Sequence, residues 1–225
     1  MGQAGLFITF EGSEGCGKST QIRHLSQFLR SLEREVVMLR EPGATPIGES
    51  IRNLLQYDAS ASAMTPEAEL FLFAASRAQL VREVIRPALA RGAVVLCDRF
   101  LDSTTVYQGV ARALDSGEVS RINDVAVGGT LPDLTLLLDL DAAEGRRRAA
   151  TRAATTTGPT DRMEQEQESF YEAVREGYLK LAAEQSGRFV VVDASLDEEG
   201  VESAIRKVLR ERFQIGGEEE SHGIH

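Results

Sequence analysis

The sequence has no tryptophan, two cysteines, three histidines and three lysines among its 225 residues. Each shortage closes off a class of protein. Cys16 and Cys97 supply neither a disulfide framework nor the paired spacing of a zinc site, and reduced thiols in a cytosol are the simplest reading. With His222 and His225 at the end of the chain and only His24 elsewhere, no histidine metal centre is expected. No apolar run approaches the ~20 residues of a membrane span. The first ten residues lack a basic segment ahead of an apolar one, so no signal peptide is expected either. Leu6 stands where a myristoylation start needs Ser or Thr. A formal charge of −10 argues against a broad nucleic-acid surface. It leaves room for a small phosphorylated substrate, because a local basic cluster can oppose the global sign.

What remains is ordinary globular composition, 42% hydrophobic and 27% charged. Residues 6–10 (LFITF) read as a short strand entering a glycine-rich turn, after which Ile22, Leu25, Phe28, Leu29 and Leu32 fall on one helix face. Residues 36–39 make a second strand, stopped by Glu41-Pro42-Gly43. A helix is expected over 47–55, and a longer one opens with Thr65 as N-cap and Pro66 at its first position, able to run to Leu89. Residues 93–97 (AVVLC), 134–140 (LTLLLDL) and 189–192 give three more strands. The strand runs are uniformly apolar, which predicts strands covered on both faces. Five strands with helices between them predict an α/β fold on a parallel sheet. Residues 153–160 (AATTTGPT) are expected to form a mobile polar loop, and 216–225 a flexible acidic tail beyond a single domain spanning 1–215.

Gly12-Ser13-Glu14-Gly15-Cys16-Gly17-Lys18-Ser19 fits G-x-x-x-x-G-K-[ST], between an expected strand and an expected helix. Glycines let backbone N–H groups turn around a phosphate, and the helix N-terminus adds its positive end. Gly12 to Ser19, with Thr20, are therefore the expected ATP-binding residues. Lys18 is expected at the β and γ phosphates and Ser19 at Mg²⁺. This implies a P-loop NTPase-type three-layer fold. A GTPase would need an N-K-x-D motif, which is absent, and a switch ATPase commonly carries a lysine where Ser13 and Glu14 stand.

A second set of residues suggests an acceptor. Asp98-Arg99 closes the third strand: the carboxylate is a candidate Mg²⁺ ligand beside Ser19, the guanidinium a clamp for a second phosphate, or else the two form a surface ion pair. Phe73 and Arg77, spaced i, i+4, share one helix face, where a ring can stack on a base; a core Phe beside a snorkelling Arg is the plainer alternative.

Taken in order, FEGSEGCGKST, Arg40-Glu41-Pro42-Gly43-x-Thr45-Pro46, Phe73-x-x-x-Arg77, Asp98-Arg99-Phe100 with Ser103 and Tyr107-Gln108-Gly109, Pro132-Asp133-Leu134-Thr135 and Asp161-Arg162-Met163-Glu164 resemble the thymidylate kinase family over about residues 7–194. The resemblance implies phosphoryl transfer from ATP to dTMP with Mg²⁺, in a cytoplasmic homodimer. It implies Phe73 stacked on thymine, Arg77 on a base oxygen, Thr104 near the base N3 edge, and Gln108 in the same dTMP pocket. Arg99 with Arg52 would hold the dTMP phosphate, Tyr107 would crowd the sugar 2′ position, and Glu14, Arg40 and Pro42 would border the acceptor. Some family members carry a basic residue inside the P-loop, where this chain has Gly15. Others supply arginines from a small lid, and here Arg146, Arg147, Arg148 and Arg152 precede and Arg162 follows the 153–160 stretch. The chain is similar to this bacterial, lid-arginine type, with its lid at about 149–162. Lys18, Arg99, Arg148, Arg152 and Arg162 are its expected catalytic residues, Arg148 and Arg152 being favoured at the transferred group.

Overall fold

The computed structural model describes residues 4–155 and 167–216, with the side chains of 152–155 left out. Its element order is β1 (Leu6–Glu11), α1 (Lys18–Ser31), β2 (Val36–Arg40), α2 (Pro46–Gln56), α3 (Pro66–Leu80), α4 (Arg86–Ala90), β3 (Val94–Asp98), α5 (Leu101–Thr104), α6 (Ser116–Val127), β4 (Leu134–Asp139), α7 (Ala142–Thr155), α8 (Glu168–Glu184), β5 (Phe189–Asp193) and α9 (Glu198–Phe213). All strand pairs are parallel, in the order β2-β3-β1-β4-β5. The expected five-stranded α/β sheet is therefore present.

Alternation along β1 shows how the three layers form. Leu6, Ile8 and Phe10 point into a core with Ile22, Leu25 and Leu29 of α1 and Val201, Ile205 and Leu209 of α9. Phe7 points the other way, into a core with Leu80, Val81, Ile85, Ala88 and Val127. Two-sided burial holds for the central strands only. Met38 on β2 is 45% exposed and Val191 on β5 is 47% exposed, because these strands form the sheet edges, beyond full helix cover.

The long helix from Pro66 continues, as expected, past Leu80: a π-helical stretch, Val81–Ile85, leads into α4, with Pro87 in its first turn. Thr65 Oγ1 caps α3 by accepting from the Ala68 N–H. One expectation needs correcting. Helix α7 runs through Thr155, so residues 153–155 extend a helix instead of opening a loop. Their alanine-rich sequence favours this. The rest of the expected loop, Arg162 and the acidic tail from 217 lie outside the described residues.

Strand order reverses around β1, with β3 on one side and β4 on the other. The crevice at the carboxyl ends of β1 and β3 is where parallel α/β sheets bind ligands. Glycine-rich residues follow β1 and Asp98-Arg99 closes β3, so both expected phosphate-handling segments meet there.

Candidate active site

Gly12 lets the loop after β1 press against the sheet: a Cβ there would stand 2.5 Å from the Leu138 carbonyl oxygen. Lys18 opens α1 and folds back over the loop, its Nζ donating to the carbonyls of Gly12 (3.1 Å) and Ser13 (2.8 Å). Ser19 Oγ donates to Asp98 Oδ2 at 2.9 Å. A hydroxyl and a carboxylate side by side are hard oxygen donors suited to Mg²⁺, which takes its remaining ligands from water and phosphate. The residues present thus fit that ion. Among the described residues, no group of three or more His, Cys, Asp or Glu forms a self-sufficient metal site.

Arg99 has φ of 67°, a left-handed backbone that side-chain-bearing residues adopt uncommonly. Its Nη2 donates to Glu14 Oε1 at 2.6 Å, and its guanidinium carbon lies 4.9 Å from the Tyr107 ring centroid. The Arg99 N–H donates to the Phe10 carbonyl at 3.0 Å, and the next residue along β1 is Glu11, which sequence reasoning did not single out. Its Oε1 accepts from the Phe100 N–H (2.8 Å), and its Oε2 accepts from Ser103 Oγ (2.6 Å) and Tyr178 Oη (2.7 Å). Burial, and secondarily the nearby Asp102 charge, push the Glu11 carboxyl up to about 7. An acid ending an apolar strand was the visible signal for Glu11. Tyr178 gave none, since it reaches the site from α8.

One cavity of about 530 Å³ joins the two halves. Its walls include Glu14, Gly15, Gly17, Lys18, Ser19 and Thr20 on the loop side, and Arg40, Pro42, Arg52, Phe73, Asp98, Arg99, Thr104, Tyr107 and Gln108 on the other. Arg40 is paired with Glu49 Oε2 at 2.8 Å, and Arg52 Nη1 donates to the Pro42 carbonyl at 3.1 Å. The buried Tyr107 hydroxyl has no hydrogen-bond partner among the described residues. Gln108 Nε2 donates to Glu69 Oε1 at 2.8 Å.

Five expected site residues do not line this cavity. Gly12, Ser13 and Cys16 belong to the loop itself but are buried within it. Arg77, expected at a base oxygen, is 1% exposed and satisfied by protein. Its Nε donates to Glu41 Oε2 (2.8 Å), Nη1 to Asn123 Oδ1 (2.7 Å), and Nη2 to Thr104 Oγ1 (2.8 Å) and the Phe100 carbonyl (3.3 Å). Such a buried charge needs that full complement of partners. Burial in turn pushes the Glu41 carboxyl up to about 7. Arg148 donates to Glu144 Oε1 (2.7 Å) and the Ala194 carbonyl (3.2 Å), because an acid one turn earlier and the loop after β5 lie within its reach. The Arg152 side chain is outside the described residues.

A family model described as thymidylate kinase matches residues 10–205. The chain is 52% identical over 209 residues to a thymidylate kinase of Geobacter sulfurreducens, covering 92% of this chain and 98% of that one. It is 48% identical over 211 residues to one of Trichlorobacter lovleyi, covering 93% and 99%. A crystal structure of thymidylate kinase from Ehrlichia chaffeensis superposes with a TM-score of 0.75 at 31% identity, covering 92% of this chain and 99% of that one.

Proposed function

The chain belongs to the thymidylate kinase family and is a phosphotransferase, and from that membership we propose how its own residues transfer the γ-phosphoryl group of ATP to dTMP. The carrying observation is the single cavity that places Lys18 and Ser19 against Arg99 and Phe73. ATP phosphates lie in the loop from Gly12 to Thr20, held by backbone N–H groups and the α1 N-terminus. Lys18 exchanges its loop carbonyls for phosphate oxygens. dTMP occupies the other end. Phe73 stacks on the base, Thr104 and Gln108 meet its edge, Tyr107 closes on the sugar, and Arg99 with Arg52 holds the phosphate, bordered by Glu14, Arg40 and Pro42. Arg77, turned away from the cavity, acts through Thr104.

In the reaction a dTMP phosphate oxygen forms a bond to the γ-phosphorus while the bond to the β–γ bridging oxygen breaks, releasing ADP. That oxygen is already ionised near neutral pH, so no strong general base is required. The chain contributes in-line positioning and positive charge where negative charge builds. Ser19 and Asp98 would hold Mg²⁺, which neutralises phosphate charge when bound. With Gly15 where a P-loop arginine would sit and Arg148 engaged elsewhere, the lid role falls to Arg152, with Arg162 beyond it. Lid closure at about 149–162 excludes water and so limits wasted ATP hydrolysis.

The proposed organisation is one domain over 1–215 in a cytoplasmic homodimer. No described helix is long and apolar enough to cross a membrane. Support for the dimer comes from an apolar groove between α3 and α6, where Phe71 is 59% exposed and Val125 75% exposed. Glu118 and Arg121 flank the same groove, an acid and a base on one patch that could pair across a two-fold contact.

The deciding experiment is an acceptor panel of dTMP, dUMP, dCMP, dGMP and thymidine with Mg-ATP. The expected result is highest kcat/KM for dTMP. Preference for unphosphorylated thymidine would defeat the assignment of Arg99 to an acceptor phosphate.

A further inference from the structure

Gln108 lines the acceptor cavity with a side chain that has two chemically opposite ends, and which end it presents decides what base edge it can meet. Its neighbour on the protein side is Glu69 of α3, 2% exposed, whose Oε1 accepts from Gln108 Nε2 at 2.8 Å. Arg112 Nε stands 3.5 Å from the same carboxylate oxygen, so two donors converge on it. An inverted amide would set the Gln108 carbonyl oxygen against that carboxylate oxygen in a buried place, with its donor turned away. The carboxylate therefore fixes the amide. Gln108 Oε1 is the arm left over, on a side chain whose amide nitrogen faces Glu69 and which lines the cavity.

We infer that Glu69 is a positioning residue for base discrimination: it locks the Gln108 amide so that the cavity wall presents a carbonyl acceptor. Thr104 complements this arrangement. Its Oγ1 accepts from Arg77 Nη2 at 2.8 Å, which leaves its hydroxyl proton to be donated. An acceptor beside a donor matches the N3–H and carbonyl edge of thymine or uracil. It opposes cytosine, whose N3 accepts and whose amino group donates. Sites that pair buried polar groups with one substrate reject the mismatched analogue strongly.

The inference rests on the proposed placement of the base against Gln108, and the test separates the two. Glu69→Gln keeps volume and a hydrogen bond but permits either amide orientation. Its expected effect is a roughly tenfold or greater fall in the dTMP-to-dCMP ratio of kcat/KM, carried by a higher KM for dTMP, with KM for ATP unchanged. The exchange variant E69Q/Q108E again has an acceptor facing the cavity and is expected to recover the ratio to within about threefold of the original. It also serves if Glu69→Gln alone fails to fold, as a thermal melt would reveal. An unchanged ratio in folded Glu69→Gln, or a collapsed ratio in the exchange variant, overturns the inference. Gln108→Leu distinguishes the source of a failure. If it raises KM for dTMP while Glu69→Gln does nothing, the base placement stands and the lock is wrong. If Gln108→Leu also leaves dTMP kinetics untouched, the placement itself is wrong and the lock falls with it.

Discussion

Gly15 of the phosphate loop and Gly145 of α7 meet backbone to backbone. A Cβ on Gly15 would fall 2.1 Å from the Gly145 carbonyl oxygen, and one on Gly145 would fall 2.6 Å from the Glu14 carbonyl oxygen. Neither obstacle is a flexible side chain, so the two segments hold each other at a fixed distance. This contact sets where α7, which carries Arg146, Arg147 and Arg148, sits relative to the phosphate loop. Gly145→Ala is expected to lower kcat by about 10- to 100-fold, since displacements near 1 Å have effects of that size. Saturating steady-state kinetics check it, and an unchanged kcat would remove the contact from catalysis. For the same reason Gly15→Arg, also strained by a φ of +74°, is expected to be inactive and not to substitute for a lid arginine.

Arg99→Ala is expected to reduce kcat/KM for dTMP by about 10³-fold while leaving ATP affinity within a few-fold. The residue lies across the cavity from the helix that begins at Lys18, paired with Glu14 at 2.6 Å. Titration calorimetry with ATP beside acceptor kinetics separates the effects. Equal loss of ATP affinity would contradict the assignment to the acceptor phosphate.

For Arg152→Ala the expectation is a kcat lowered by about 100-fold with dTMP affinity little changed. Arg148→Ala should instead act weakly on kcat, because its guanidinium is held by Glu144 and the Ala194 carbonyl. A reversed ranking of the two variants would reassign the role.

Stability is expected to fall as pH rises from 5 to 8. Burial raises the Glu11 and Glu41 carboxyls to about 7 in the folded chain. Acids with raised values contribute fully below pH 4.5, where both states are protonated, and progressively less as pH rises to about 7. His24 is raised above 6.5, chiefly by its hydrogen bond to Glu202. Its contribution is complete below 6.5 and disappears as pH climbs through the folded value. All three groups therefore act in one direction. Glu11→Gln should flatten the Tm profile between pH 5 and 7, and His24→Gln should flatten it above 6.5. A Tm rising across this interval in the unmodified chain would show that other groups dominate.

Val125→Asp is expected to convert a dimer into a monomer at micromolar concentration, because a charge would be buried on the apolar groove that also exposes Phe71. Light scattering after size exclusion reads the mass directly. A monomeric unmodified chain would dismiss the dimer.

Much of this protein was legible in one dimension. The five strands, the phosphate loop and the helix after it follow from apolar runs, glycine spacing and a lysine–serine pair, all of which are local signals. So did the residues along the cavity, because Phe73, Asp98-Arg99 and Tyr107-Gln108 each lie on a short recognisable motif. Sequence fell short where a side chain's direction depends on partners far along the chain. Arg77 and Phe73 share a helix face in the sequence, yet Glu41, Asn123 and Thr104 draw the guanidinium away from the cavity. Arg148, favoured with Arg152 from the sequence, is held instead by Glu144 and the loop after β5. Glu11 and Tyr178, 167 residues apart, share one hydrogen bond that no spacing rule reports. Periodicity and turn chemistry are properties of neighbouring residues, so the sequence determines them alone. The destination of a buried charge is decided by which distant groups can satisfy it, and only the assembled fold supplies those groups.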